Sequence, residues 1–209
     1  MKTTFTIAAA LLIATPAAAQ QVSGQGQYGD VTNVAAGTQI ASDPNAGPGY
    51  GGIYFTLTNF TLGDLTQLSA TYTLDQGALA GGAPRFTLFD SANQSAYIYF
   101  TSPTSTSLTP STIVECNGFG GCAYNYPGIT FANFITQVGA STGLSAVFLD
   151  VDAGYSSRQQ LTVSNFSLNG NVFGAVPEPS TWAMMLVGFG GIGMAMRRQR
   201  RTPKLAQIA

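Results

Sequence analysis

The 209-residue chain contains no histidine. That absence removes an imidazole general base, a Ser-His or Cys-His nucleophile pair, and any metal centre built on imidazole nitrogen. Charge is scarce as well: acidic and basic residues together make up 8% of the chain, against about a quarter in an ordinary soluble protein. Residues 20–176 have no lysine, and there two arginines, Arg85 and Arg158, stand against eight acidic residues, a net charge of −6. A lysine-free acidic surface cannot neutralise phosphates, so nucleic acid is excluded as a partner. Schiff-base and Walker-type lysine chemistry are excluded with it. What remains in quantity is glycine, at 25 residues, and aromatic side chains, at 11%.

The positive charge missing from the middle sits at the ends. Lys2 precedes a short apolar run, and Ala17-Ala18-Ala19 offers the small residues a signal peptidase reads. Residues 1–19 are therefore expected to form a signal-peptide helix, cut before Gln20. At the other end, residues 181–196 (TWAMMLVGFGGIGMAM) carry no charge, and Arg197, Arg198, Arg200 and Arg201 follow. As a helix, sixteen residues reach about 24 Å. This is slightly short of a bilayer core of roughly 30 Å, but Trp182 and the arginines can lengthen the span at its two interfaces. The arginines place the C-terminal side in the cytoplasm and the body of the chain outside. Two prolines at 177 and 179 fix an extended entry to this segment.

The string PEPSTWAMMLVGFGGIGMAMRRQRR resembles the PEP-CTERM sorting signal of Gram-negative bacteria, in its PEPxxWAMM variety. Pro177-Glu178-Pro179, the Trp182-Ala183-Met184-Met185 block, Gly188-Phe189-Gly190 and the closing arginines carry the resemblance. It implies recognition by an exosortase, a membrane-embedded peptidase, with cleavage near Pro177, Glu178 and Pro179 and with Trp182 at the membrane edge. It also implies an exported product, at the cell surface or outside, that accompanies exopolysaccharide and biofilm. The domain plan is then a signal peptide at 1–19, an exported domain at 20–175, the sorting signal with one transmembrane helix at 176–201, and a cytoplasmic tail at 202–209.

Within the exported domain the β-signals are dense. Residues 52–60, 68–74, 85–90, 96–100, 143–151 and 161–168 are rich in Thr, Tyr, Phe, Val and Ile, and turn residues break them every 8–12 positions. This predicts an all-β fold, a single β-sandwich, with a short helix or turn near residues 130–138. The order of the late strands is similar to that of jelly-roll modules, some carbohydrate-binding modules among them.

Three groups carry candidate chemistry. Cys116 and Cys122, the only cysteines, flank a glycine-rich loop in an exported chain, which favours a disulfide contributing about 2–3 kcal/mol. Asp150 and Asp152, at i and i+2, share one face of a strand end. They are candidates for a calcium site, for the acid and base of a glycan-active enzyme, or for a solvated strand terminus. No other cofactor is expected. Tyr97 and Tyr99 share a strand face, and Tyr124 and Tyr126 follow the cysteine loop. These four are candidates for stacking on sugar rings, with core-edge packing as the alternative. The balance favours a non-enzymatic exported protein sorted by an exosortase, with exopolysaccharide as a partner and the membrane engaged through the C-terminal helix before processing. The alternative is a secreted glycan-active enzyme using Asp150 and Asp152.

Overall fold

The computed structural model describes residues 21–45, 49–79, 83–152, 158–173 and 189. The chain divides into two units, Met1–Phe173 and Gly174–Ala209. The expected signal-peptide helix, the sorting residues Pro177, Glu178, Pro179 and Trp182, and the tail at 202–209 all lie outside the described residues. Among the described residues no helix is long and apolar enough to cross a membrane.

The first unit is all-β. Its strands are β1 (Gln21–Val34), β2 (Gly37–Ser42), β3 (Tyr50–Thr58), β4 (Leu68–Gln76), β5 (Arg85–Asp90), β6 (Ser95–Tyr99), β7 (Ser105–Ser107), β8 (Ile113–Asn117), β9 (Ile129–Thr130), β10 (Leu144–Asp152), β11 (Gln159–Leu168) and β12 (Asn171–Val172). One short helix, α1 (Phe131–Val138), lies between β9 and β10. The sandwich expectation envisages two packed sheets. The strands instead form one continuous antiparallel sheet, in the order β7-β4-β11-β2-β1-β3-β10-β5-β6-β8-β9, with β12 beside β11.

The long first strand makes that continuity. Residues 21–29 of β1 pair with β3, and residues 30–34 pair with β2. The change of partner falls at Gly29, whose φ of +70° belongs to the left-handed region. A Cβ there would lie 2.1 Å from the Tyr50 carbonyl oxygen. Only glycine meets both demands. Across this joint the sheet curls, and its two halves face each other over a phenylalanine-rich core. Phe55 of β3 and Phe166 of β11, three places apart in the strand order, meet at 4.8 Å between ring centres, and Phe86 of β5 lies 5.8 Å from Phe166. Each of these three rings is fully buried, at about 1.5–3 kcal/mol of hydrophobic stabilisation apiece.

The helix appears where expected. The Thr130 hydroxyl accepts from the Asn133 amide at 3.3 Å as its N-cap, and Gly139 follows its last turn. It buries Phe131 and Phe134, and Phe134 packs on Phe119 at 5.4 Å. The apolar residues alternate along β3, β5 and β10, interrupted by a bulge between Leu144 and Ala146 of β10. Ile53, Phe55, Phe86, Leu88, Val147 and Leu149 point into the core, and the intervening residues form the opposite, outward face.

Candidate functional site

That outward face gathers residues far apart in the chain. The antiparallel register sets Tyr28 of β1 against Gly52 of β3, then Asp150 of β10, Arg85 of β5 and Tyr99 of β6 in one row across five strands. The neighbouring row runs Gly26, Tyr54, Phe148, Thr87, Tyr97 and Glu115. Tyr50 pairs with Asp152 at one end, and Phe89 pairs with Ala146 at the other. Five of the nine tyrosines therefore stand on one sheet face.

The rings form a connected layer. Tyr54 stacks on Phe148 at 4.8 Å, Phe89 and Tyr28 meet Phe148 edge-on at 5.0 and 5.3 Å, and Tyr50 lies 5.7 Å from Tyr28. The two glycines in the rows make this possible. A Cβ on Gly26 would fall 2.4 Å from the Tyr54 hydroxyl oxygen, and one on Gly52 would fall 2.5 Å from the Tyr28 ring. Tyr54 thus leans over β1 and Tyr28 over β3, each in space that any other residue would fill.

At the centre, Arg85 bridges two carboxylates. Its Nε lies 3.0 Å from Asp150 Oδ1, and its Nη1 donates to Asp152 Oδ2. The guanidinium also covers the Tyr97 ring at 4.9 Å, a cation–π contact. The Thr87 hydroxyl donates to Asp150 Oδ2 at 2.7 Å. Asp150 is buried, and burial pushes its carboxyl up from 3.8 to about 6, although Arg85, Thr87 and Tyr28 pull the other way. Burial would lower Arg85, but Asp150 and Asp152 outweigh it and raise the guanidinium further. The Tyr28 phenol is pushed up by burial and then by Asp150. Burial and Glu115, its hydrogen-bond partner, do the same to Tyr99.

Asp150 and Asp152 do share one face; Asp150 is buried, while Asp152, the last residue of β10, keeps about a third of its side chain exposed. Both are tied to the same guanidinium, so a calcium ion taking the two carboxylates would have to displace Arg85. Among the described residues no group of three or more His, Cys, Asp or Glu could hold a metal ion. The two other carboxylates that could join them serve elsewhere. Asp90 accepts from the Ala92, Gln94 and Gly120 amides and ties the β5–β6 turn to the cysteine loop. Glu115 is buried beside Tyr99.

Tyr97 and Tyr99 both join the aromatic face, 6.3 Å apart. Ser95 and Asn117 donate to the Tyr97 hydroxyl at 3.0 Å each. Tyr124 and Tyr126 stand apart from this layer: they are 66% and 76% exposed, and among the described residues neither packs against another ring. Asn125 pins their segment to β8, where its side-chain oxygen accepts from the Cys116 amide at 2.6 Å. Cys116 and Cys122 are joined as a disulfide, with Cα atoms 6.2 Å apart. The loop between them turns on Gly118, Gly120 and Gly121, all at positive φ.

Sequence reasoning missed Arg85, Thr87, Tyr28, Tyr50, Tyr54, Phe89 and Phe148 as members of this face. The available signal was the interleaving of glycine and tyrosine in GQGQYG (residues 24–29) and GYGGIY (residues 49–54), where small residues leave room for a ring on the paired strand.

The model of the PEP-CTERM protein-sorting motif matches residues 175–201. The chain thus carries a tag of the class that marks exported proteins for exosortase processing. No curated protein and no solved structure matches the chain.

Proposed function

We propose that this is a non-enzymatic protein of the cell surface or extracellular matrix, delivered by its signal peptide, sorted by an exosortase through Pro177-Glu178-Pro179, and associated with exopolysaccharide. The observation that carries the reading is the match of the sorting motif to residues 175–201, whose apolar stretch and arginine cluster hold the chain in the membrane until it is cut. The acidic, lysine-free body supports it, because such a surface is compatible with a hydrated matrix and poorly suited to anionic polymers. The non-enzymatic part is supported by the arrangement of Asp150 and Asp152. They occupy neighbouring positions of one strand under a shared guanidinium, whereas a glycosidase pair flanks its substrate from opposite sides.

The test is the intact mass of the protein recovered from the cell surface or medium. The expected mass begins at Gln20, ends near residues 176–179, and is two hydrogens lighter than the reduced chain. Replacing Pro177, Glu178 and Pro179 by alanine should leave export intact and the tail uncut. Normal processing of that variant would overturn the sorting claim.

A further inference from the structure

We propose that the outward face built on β1, β3, β10, β5 and β6 is a binding platform for an uncharged polysaccharide chain laid across the strands, an inference that rests on the matrix-protein reading above. In the row Tyr54, Phe148, Thr87, Tyr97, three of four successive strands present a ring, and the fourth holds Thr87 buried, with its hydroxyl bonded to Asp150 and Arg85. Successive strands lie about 4.8 Å apart, close to the length of one hexose in an extended glycan. A chain crossing the sheet along this row therefore meets a ring at three of four successive sugars. The C–H face of a pyranose packs on an aromatic ring, and the phenol hydroxyls of Tyr54 and Tyr97 are placed to bond sugar hydroxyls.

The rings are ordered before any ligand arrives. Tyr28 and Tyr54 fill the space over Gly52 and Gly26, and Arg85 lies on Tyr97. Little rotamer freedom is left to lose on binding, which is the main cost of immobilising long side chains.

Charge selects the occupant. The face holds Asp150, Asp152 and Glu115 against the single cation Arg85, on a body of net charge −6. Glycans bearing uronate, sulfate or phosphate are repelled, as are anionic lipid surfaces. A second copy of the chain docked through the same face about a two-fold axis would set these carboxylates against their own counterparts, a like-charge contact. A neutral polyhydroxylated chain needs no countercharge and uses both the rings and the hydroxyls.

The experiment is native affinity electrophoresis of the exported protein as recovered from the medium or cell surface. The gels contain hydroxyethylcellulose, laminarin, galactomannan or dextran as uncharged probes, and alginate as the polyuronate. The expected result is retardation by at least one uncharged glycan and none by alginate. Tyr54→Ala and Tyr97→Ala should each weaken that retardation about tenfold, as loss of one aromatic contact does, while Tyr124→Ala leaves it unchanged. Thr56→Glu, on the same face with no core ring removed, should abolish it and serves if Tyr54→Ala fails to fold. Equal mobility in every uncharged gel overturns the proposal, and so does retention by alginate alone or unaltered retention of the face variants. The mass of the same sample reports the sorting step separately. A correctly processed protein that no glycan retards therefore sinks the platform and leaves the sorting reading standing.

Discussion

Replacing Asp150 by asparagine tests whether burial or the Arg85 ion pair governs the centre of the sheet face. Asp150 has about 4% of its surface exposed, and its carboxyl is raised from 3.8 to about 6, chiefly by burial. In the unfolded chain the same carboxyl ionises near 3.8. Between pH 4 and pH 6 the unfolded chain therefore holds fewer protons than the folded one, and stability falls as pH rises through that window. The gap is roughly two powers of ten in acidity, at about 1.4 kcal/mol each, so ionised Asp150 costs the fold about 3 kcal/mol above pH 6. That is a large share of the 5–15 kcal/mol typical of a domain. Asparagine has nearly the same shape and cannot ionise. Urea melts of the exported domain, wild type and Asp150→Asn, at pH 4 and pH 7.5 measure the effect. The difference between the two proteins should move by about 3 kcal/mol in favour of Asp150→Asn at the higher pH. Other titrating groups cancel in that difference. A variant that trails wild type by the same margin at both pH values, or by more at pH 7.5, would mean that the ionised pair with Arg85 stabilises the fold and that the burial argument is wrong.

Three further outcomes are expected. Removing the disulfide with Cys116→Ala and Cys122→Ala should lower stability by about 2–3 kcal/mol, and thiol titration of the native protein should find no free thiol before reduction and two after it. Gly51→Ala should destabilise by about 1–3 kcal/mol, because its Cβ would fall 2.5 Å from the carbonyl oxygens of both Asp30 and Ala41. Ser105→Ala, at an exposed site on β7, should stay within about 0.5 kcal/mol of wild type in the same urea melts.

The strands that sequence reasoning found are those whose apolar residues alternate. Residues 85–90 became β5 without change, residues 68–74 became the first seven residues of β4, and residues 161–168 the last eight of β11. Strands β1 and β2 escaped because QVSGQGQYGDVTNV has few apolar residues to alternate. Its N-terminal part borrows order from β3 through backbone pairing, which leaves no periodic trace. The continuous sheet escaped for a related reason: no local pattern reveals that one strand serves two partners in turn. The disulfide was legible because its residues are six apart. The aromatic face was legible only in Tyr97 and Tyr99, which lie on one strand. Arg85 and Asp150 are brought together by a register linking positions 65 residues apart. That register depends on the whole sheet and on no segment of it.

The strand order also constrains how the protein leaves the cell. Strand β11 lies between β2 and β4, yet among the described strands only the two-residue β12 follows it. A chain emerging N-terminus first exposes β2 and β4 well before the strand that must separate them is available. The sheet therefore cannot close until about residue 168 has crossed, only nine residues ahead of Pro177. If the sorting segment is still held in the membrane at that moment, as proposed above, the end of the chain stays in place while its last long strand inserts. Secretion and folding then finish together, and a product cut short anywhere before β11 would arrive outside as a sheet with a missing middle.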